Sequence, residues 1–222
     1  MDAYIQSIES YLPEKVLTNE ELAALFPEWP AEQIAQKVGI EKRHVAAEGE
    51  TAADMAVQAA KKLFAQQGAI GRDEIDFILF CTSSPDYKLP TSACLIQDRL
   101  GIATSAGALD INMGCSGYVY ILALAKSLVI SGIARNVLLL TGETYTKYLN
   151  PKEKGTRTIF GDGAAATLID GEMANKIGEF SFGTDGSGAE KLIVRDGRLF
   201  MDGPEIFNFT LDIVPKTMED VL

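Results

Sequence analysis

The sequence has a single histidine, His44, and a single tryptophan, Trp29, among 222 residues. One histidine excludes a multi-histidine metal site and any HExxH motif, so no metal is expected. A Cys–His pair built from these residues would have to use His44, which follows Lys42 and Arg43 in a polar stretch suited to a hydrogen-bonded structural imidazole. The three cysteines, Cys81, Cys94 and Cys115, cannot pair off evenly and form no CxxC. A disulfide framework is therefore not expected, and a reducing, cytoplasmic setting is. The opening residues MDAYIQSIESYLPE lack the basic start and apolar core of a signal peptide. No apolar run reaches the length of a membrane span, and even LVISGIARNVLLL is broken by Ser131, Gly132, Arg135 and Asn136. Positive charge is scarce: 20 Lys+Arg face 31 Asp+Glu, a net charge of −11. Nucleic acid and anionic lipid surfaces are excluded as main partners, although a local basic patch can still hold one phosphorylated ligand. GxxxxGK[ST] is absent, which removes a P-loop.

What is present is ordinary for a folded α/β chain: 47% hydrophobic and 23% charged residues. Thr18 with Glu21, and Thr51 with Asp54, have capping-box spacing and open helices, the second running to Gly68. AEQIAQKV stops at Gly39, and a helix capped by Thr91 stops at Gly101. IDFILFCT, GALDIN and NVLLLTG read as buried strands, and 116–130 as an apolar helix. Residues 164–169, 177–182 and 191–194 read as further strands separated by glycine-rich turns. The alternation predicts a mainly parallel sheet with helices on both sides. GDGAAA at 161–166 leads into strand rather than helix, so it is a turn and not a dinucleotide fingerprint. From Pro204 a helix is expected that Pro215 bends or splits, and that reaches Leu222 with no cap, as in a fragment of a longer chain.

Cys115 is the sharpest chemical feature, in LDINMGCSGYVYILALA between a predicted strand and a predicted helix, with Gly114 and Gly117 close by. A thiol at a helix N-terminus lies near unpaired N–H groups, which favour a thiolate and can stabilise an oxyanion on a thioester carbonyl. Free cysteine is also among the most buried residue types, so residue context leaves nucleophile and structural cysteine both open. Cys81 and Cys94 read as core. Trp29, in FPEWP, is expected to fold back on the core or to offer a flat face to an adenine. Lys37, Lys42, Arg43, Lys152, Lys154 and Arg157 are the cations available to meet phosphates, with surface solvation as the alternative for each.

GIEKRHVAAEGET, TSACLIQDRLG, LDINMGCSG and IFGDGAAATLI, in that order and spacing, together with ESYLPEKVLTN, resemble the β-ketoacyl-[acyl-carrier-protein] synthase III family. The resemblance spans nearly the whole chain. It implies a thiolase-like, layered α-β-α-β-α fold with mixed sheets. The chain would supply the N-terminal half, residues 1–170, and the start of the C-terminal half, residues 171–222. It implies an acyltransferase that loads an acyl group from acyl-CoA on Cys115 as a thioester. The enzyme then condenses that group with malonyl-acyl carrier protein, with loss of CO₂, to start fatty-acid or related chains. No cofactor is implied, since acyl-CoA is a substrate. In the family a histidine and an asparagine from the second half hold the enolate oxygen, so these 222 residues are not expected to complete the condensation alone. The resemblance also maps an adenine-stacking tryptophan to Trp29, an arginine position to Lys154 with Arg157 nearby, and a basic phosphate contact to Lys37. YKLPTSAC matches a loop that crosses a homodimer interface, with Leu89 at an acyl-pocket position. A non-catalytic thiolase-like subunit needing a partner chain, and a specialised-metabolite condensing enzyme with a different acceptor, are the alternatives.

Overall fold

A computed structural model describes residues 2–172 and 174–221; Leu222 lies outside them. In chain order the elements are β1 (Tyr4–Tyr11), β2 (Lys15–Thr18), α1 (Asn19–Leu25), α2 (Ala31–Val38), β3 (Lys42–Val45) and α3 (Ala52–Phe64). β4 (Phe77–Cys81), α4 (Ser92–Leu100), β5 (Gly107–Ile111), α5 (Gly117–Ile130) and β6 (Val137–Glu143) follow. Then come α6 (Lys154–Arg157), β7 (Gly163–Asp170), β8 (Asn175–Lys176), β9 (Leu192–Arg195), β10 (Arg198–Met201) and α7 (Gly203–Glu219). The chain forms two contact units interleaved in sequence. One comprises Met1–Lys15, His44–Thr144 and Asp162–Gly178; the other comprises Val16–Arg43, Tyr145–Gly161 and Glu179–Leu222. Among the described residues no helix is long and apolar enough to cross a membrane.

The first unit holds a six-stranded sheet in the order β5-β4-β6-β7-β1-β8. β4 pairs parallel with β5 and β6, but β6–β7, β7–β1 and β1–β8 are antiparallel. The expectation of a mainly parallel sheet is corrected to a mixed one. Apolar runs such as FILFC and VLLL mark burial on both faces and carry no information about strand direction. α3 and α4 cover one face, where Ile78, Phe80, Leu138, Leu140, Ala166 and Leu168 meet Ala56, Ala60, Leu63 and Ile96 in one buried cluster. α5 packs on β4, β6 and β7, burying Ile121, Ala125 and Val129. α5 is apolar all round, yet Val119 and Ile130 remain exposed.

The 177–182 strand does not form. β8 pairs Lys176 with Tyr4 and Asn175 with Ile5 and ends there, and the Ile177 N–H bonds Ala3 O. In the second unit, β9 and β10 form a hairpin that the sequence reading missed beyond 194. Its Asp196-Gly197 turn has φ of 51° and 72°, and Asp-Gly is the residue pair that a two-residue hairpin turn favours. α7 runs through Pro215 as one helix, so the proline does not split it. None of its described residues is buried, and Phe207 and Leu211 are exposed.

Local chemistry sets the helix starts. Thr18 and Thr51 both form reciprocal capping boxes, with Glu21 and Asp54. α3 ends at Phe64, ahead of Gly68, which takes its positive φ in the following turn. Thr91 does not cap α4: its hydroxyl lies 3.1 Å from the Cys94 sulfur, and the Ser92 and Ala93 amides bond the Asp110 carboxylate at 2.6 and 2.7 Å. The cap is thus supplied by β5.

Burial opposes the charge on Asp54, but hydrogen bonds from the Thr51 N–H and from Arg99 hold its carboxyl below the usual range. A depressed folded-state pKa stabilises above the unfolded value of ~3.9 and is lost as pH falls through the folded value. Asp54→Asn is expected to cost about 1 kcal/mol at pH 7. In urea titrations its gap from wild type should close as the pH falls below about 4.

Candidate active site

β5 ends at Ile111, α5 begins at Gly117, and the turn between them carries Cys115. The Gly117 N–H closes that turn on Gly114 O at 2.9 Å. Among the described residues the Cys115 and Ser116 amides have no hydrogen-bond acceptor, so two donors stand free at the N-terminal end of α5. Cys115 itself is exposed. A side chain at 117 has no room: a Cβ built there would lie 2.3 Å from the Cys81 sulfur and 2.9 Å from Met113 Cβ.

Cys81 is buried, as expected, and donates to Met113 O at 3.3 Å. Burial first, and then the nearby Glu143 carboxylate, push its thiol up to about 11. Cys94 is corrected: it lies on the exposed side of α4, because Ala93 and Ile96 take the positions that face the core. His44 is structural, its Nδ1 2.6 Å from Pro13 O.

Beside Cys81 lies a cluster that the sequence reading missed. Glu143, the last residue of β6, accepts from Ser83 N–H at 2.8 Å, Ser83 Oγ at 2.9 Å and Ser84 Oγ at 2.7 Å. Burial raises the Glu143 carboxyl above the usual range, against these bonds, which favour its charged form. The available signal was two neighbouring apolar strands that both end in polar residues, FILFCTSS and VLLLTGE.

In the second unit Trp29 is only 8% exposed, and the ammonium groups of Lys37 and Lys154 stand 5.1 and 5.4 Å from its ring centroid. Both lie within cation–π range. Lys154 also pairs with Glu28 at 3.3 Å. Arg157 closes the same short helix, α6, and its Nη1 is buried without a hydrogen-bond partner among the described residues. Three of the sequence-predicted binding residues are thereby brought together, with Arg157 next to them in the chain. Leu89 is 85% exposed, in the segment before α4.

A mixed α/β sheet, with a thiol on the turn between a parallel strand and an apolar helix, is the arrangement of a thiolase-like condensing enzyme. The family model for 3-oxoacyl-[acyl-carrier-protein (ACP)] synthase III matches residues 109–186, the segment that contains this turn. The β-ketoacyl-[acyl-carrier-protein] synthase III 2 of Halalkalibacterium halodurans is 35% identical over 237 residues, covering 99% of this chain and 70% of that protein. A crystal structure of a 3-oxoacyl-(acyl-carrier-protein) synthase III is 51% identical with a TM-score of 0.96, covering 100% of this chain and 74% of that one. The priming β-ketosynthase of the R1128 polyketide pathway is 28% identical with a TM-score of 0.87, covering 96% of this chain and 67% of that one. The chain belongs to the β-ketoacyl-[acyl-carrier-protein] synthase III family of acyltransferases.

The three thiols differ in access and are expected to separate under iodoacetamide at pH 8. Native protein should gain two adducts, at Cys94 and Cys115, and a third only after unfolding, when Cys81 is released. Peptide mass mapping reads the positions; native labelling of Cys81 would contradict its burial.

Proposed function

We propose that Cys115 is the acyl-accepting nucleophile and that these residues carry the loading half of a condensing reaction. The Cys115 sulfur attacks the thioester carbonyl of an acyl-CoA, the carbonyl oxygen takes the negative charge, and collapse expels the CoA thiolate. The new bond is a thioester to Cys115, which keeps the acyl carbon reactive for a second substrate. The observation that carries this reading is an exposed thiol at the start of α5 beside two unpartnered amides, which are suitable donors for the transient oxyanion.

Trp29, Lys37, Lys154 and Arg157 hold the nucleotide end of acyl-CoA in this reading. The indole stacks the adenine, and the cations meet phosphates that the otherwise acidic chain would repel. The second substrate is malonyl-acyl carrier protein, which loses CO₂ to give the carbon nucleophile. In this reading the resulting enolate is held by the histidine and asparagine that the family places in its second half, and His44, whose Nδ1 lies 2.6 Å from Pro13 O, is not that histidine. The acting form is a homodimer in which Leu89 reaches the neighbouring acyl pocket. Residues 1–170 form the nucleophile-bearing half and 171–222 open the second. A second reading, favoured by the likeness to a polyketide priming enzyme, keeps the same chemistry at Cys115 with a specialised-metabolite acceptor. A panel of carrier-protein and CoA acceptors separates the two.

Intact mass after incubation with acetyl-CoA is expected to show one added acetyl group on the wild type and none on Cys115→Ala. Equal labelling of that variant would overturn the nucleophile assignment. Trp29→Ala is expected to raise KM for acyl-CoA roughly tenfold, the weight of a lost base stack, with the maximal loading rate little changed.

A further inference from the structure

Glu143 has no part in the loading chemistry as described, and its placement is costly. A half-buried carboxylate at the end of a central strand opposes folding unless its bonds compensate. Its bonds all go to one short segment. Oε1 takes the Ser83 amide and hydroxyl, and Oε2 takes the Ser84 hydroxyl. Ser84 Oγ also receives the Thr144 N–H at 2.9 Å, so the 82–84 turn is fastened to the end of β6 at two points. The same turn is tied to β5, because Thr82 N–H bonds Ile111 O at 3.1 Å. Just before it, Cys81 donates to Met113 O, and its sulfur occupies the space beside Gly117. Met113 and Gly117 bracket Cys115. Asp162 acts on this carboxylate and disfavours added negative charge there, and Glu143 in turn pushes up the Cys81 thiol.

We propose that Glu143 is a positioning residue for Cys115: by clamping the 82–84 turn to β6 it seats Cys81 under the Met113–Gly117 turn, which presents the nucleophile. The carboxylate acts through two strand ends and touches neither the thiol of Cys115 nor the substrate. A clamp of this kind governs how well the thiol and its neighbouring amides are aligned, and alignment errors near 1 Å reduce rate by up to about a hundredfold. It leaves the cation-flanked Trp29 untouched, so substrate affinity is not its lever. This inference rests on Cys115 being the acyl acceptor.

The test compares Glu143→Ala, Glu143→Asp and Glu143→Gln with wild type in two measurements on the full chain. The first is the acetyl-CoA concentration dependence of Cys115 loading, followed by intact mass. The second is the rate of Cys115 alkylation by iodoacetamide at one fixed pH. Glu143→Ala and Glu143→Asp are expected to load at least tenfold more slowly, with KM within about twofold of wild type, and to alkylate with an altered rate. Glu143→Gln keeps an acceptor for both Ser83 donors and is expected to restore loading to within about threefold of wild type. Loading by Glu143→Ala and Glu143→Asp at the wild-type rate would overturn the proposal, as would a loss carried by KM alone or a failure of Gln to rescue. If Glu143→Ala does not fold, Glu143→Asp is judged by the same criteria. Absence of acetyl loading in wild type would count against the assignment of Cys115, and the alkylation rates would still decide whether Glu143 positions it.

Discussion

The register of β4 between its two parallel neighbours is the constraint on which the candidate site depends. Cys81 lies level with Ile111 on the edge strand β5 and with Thr141 on β6, so the carboxyl ends of three neighbouring parallel strands finish at one edge. Open α/β sheets place their ligands outside the carboxyl ends of such strands. Here that edge collects the Cys115 turn, the Ser83–Ser84 turn and Glu143, three segments far apart in sequence. A one-residue slip of β4 would send Cys81 to the α3 face and Phe80 to the α5 face. The apolar cluster around Phe80 and Ile78 therefore protects the chemistry as well as the fold.

The two contact units differ in how their parts are held. The sheet unit buries its centre completely: Leu79, Leu139 and Ile169 have no exposed surface, and Ala-rich α3 packs closely on β1 and β7. In the other unit α1 and α2 bury Leu22 and Ile34, while α7 exposes a row of large apolar side chains. A buried polar cluster also ties that unit together. Arg43 is buried and bonds Thr158 O, Ile40 O and Asn19, the last of which also donates to Ile40 O at 3.0 Å. Burial, and then the neighbouring Arg157, lower its pKa, and the neutral oxygens around it hold the guanidinium in place.

Much of this was legible because local rules and tertiary structure agree. Thr18 and Thr51 sit three residues before acids that can return their hydrogen bonds, and both boxes form. Gly39 and Gly101 end their helices with left-handed backbone, as glycine permits. Cys115 was readable from the change of period around it, from strand to helix. What was not legible depended on partners remote in sequence. Nothing in TSACLIQ says that Asp110 takes the α4 amides, which leaves Thr91 to Cys94. The antiparallel direction of β7 and β1 is not encoded in apolar composition, which reflects burial alone. Glu143 could not be singled out because its meaning comes from Ser83 and Ser84, sixty and fifty-nine residues earlier.

Gly117 and the sulfur of Cys81 occupy what amounts to one volume, shared between a helix start and a strand end. Only one of the two positions can fill it. Sterically they are a single packing site: a larger residue at 117 requires a smaller one at 81 and a displaced Met113, while glycine at 117 leaves 81 free to hold a thiol. A residue at a strand end on one side of the turn is thus limited by a helix start on the other, and the Cys115 turn lies against both.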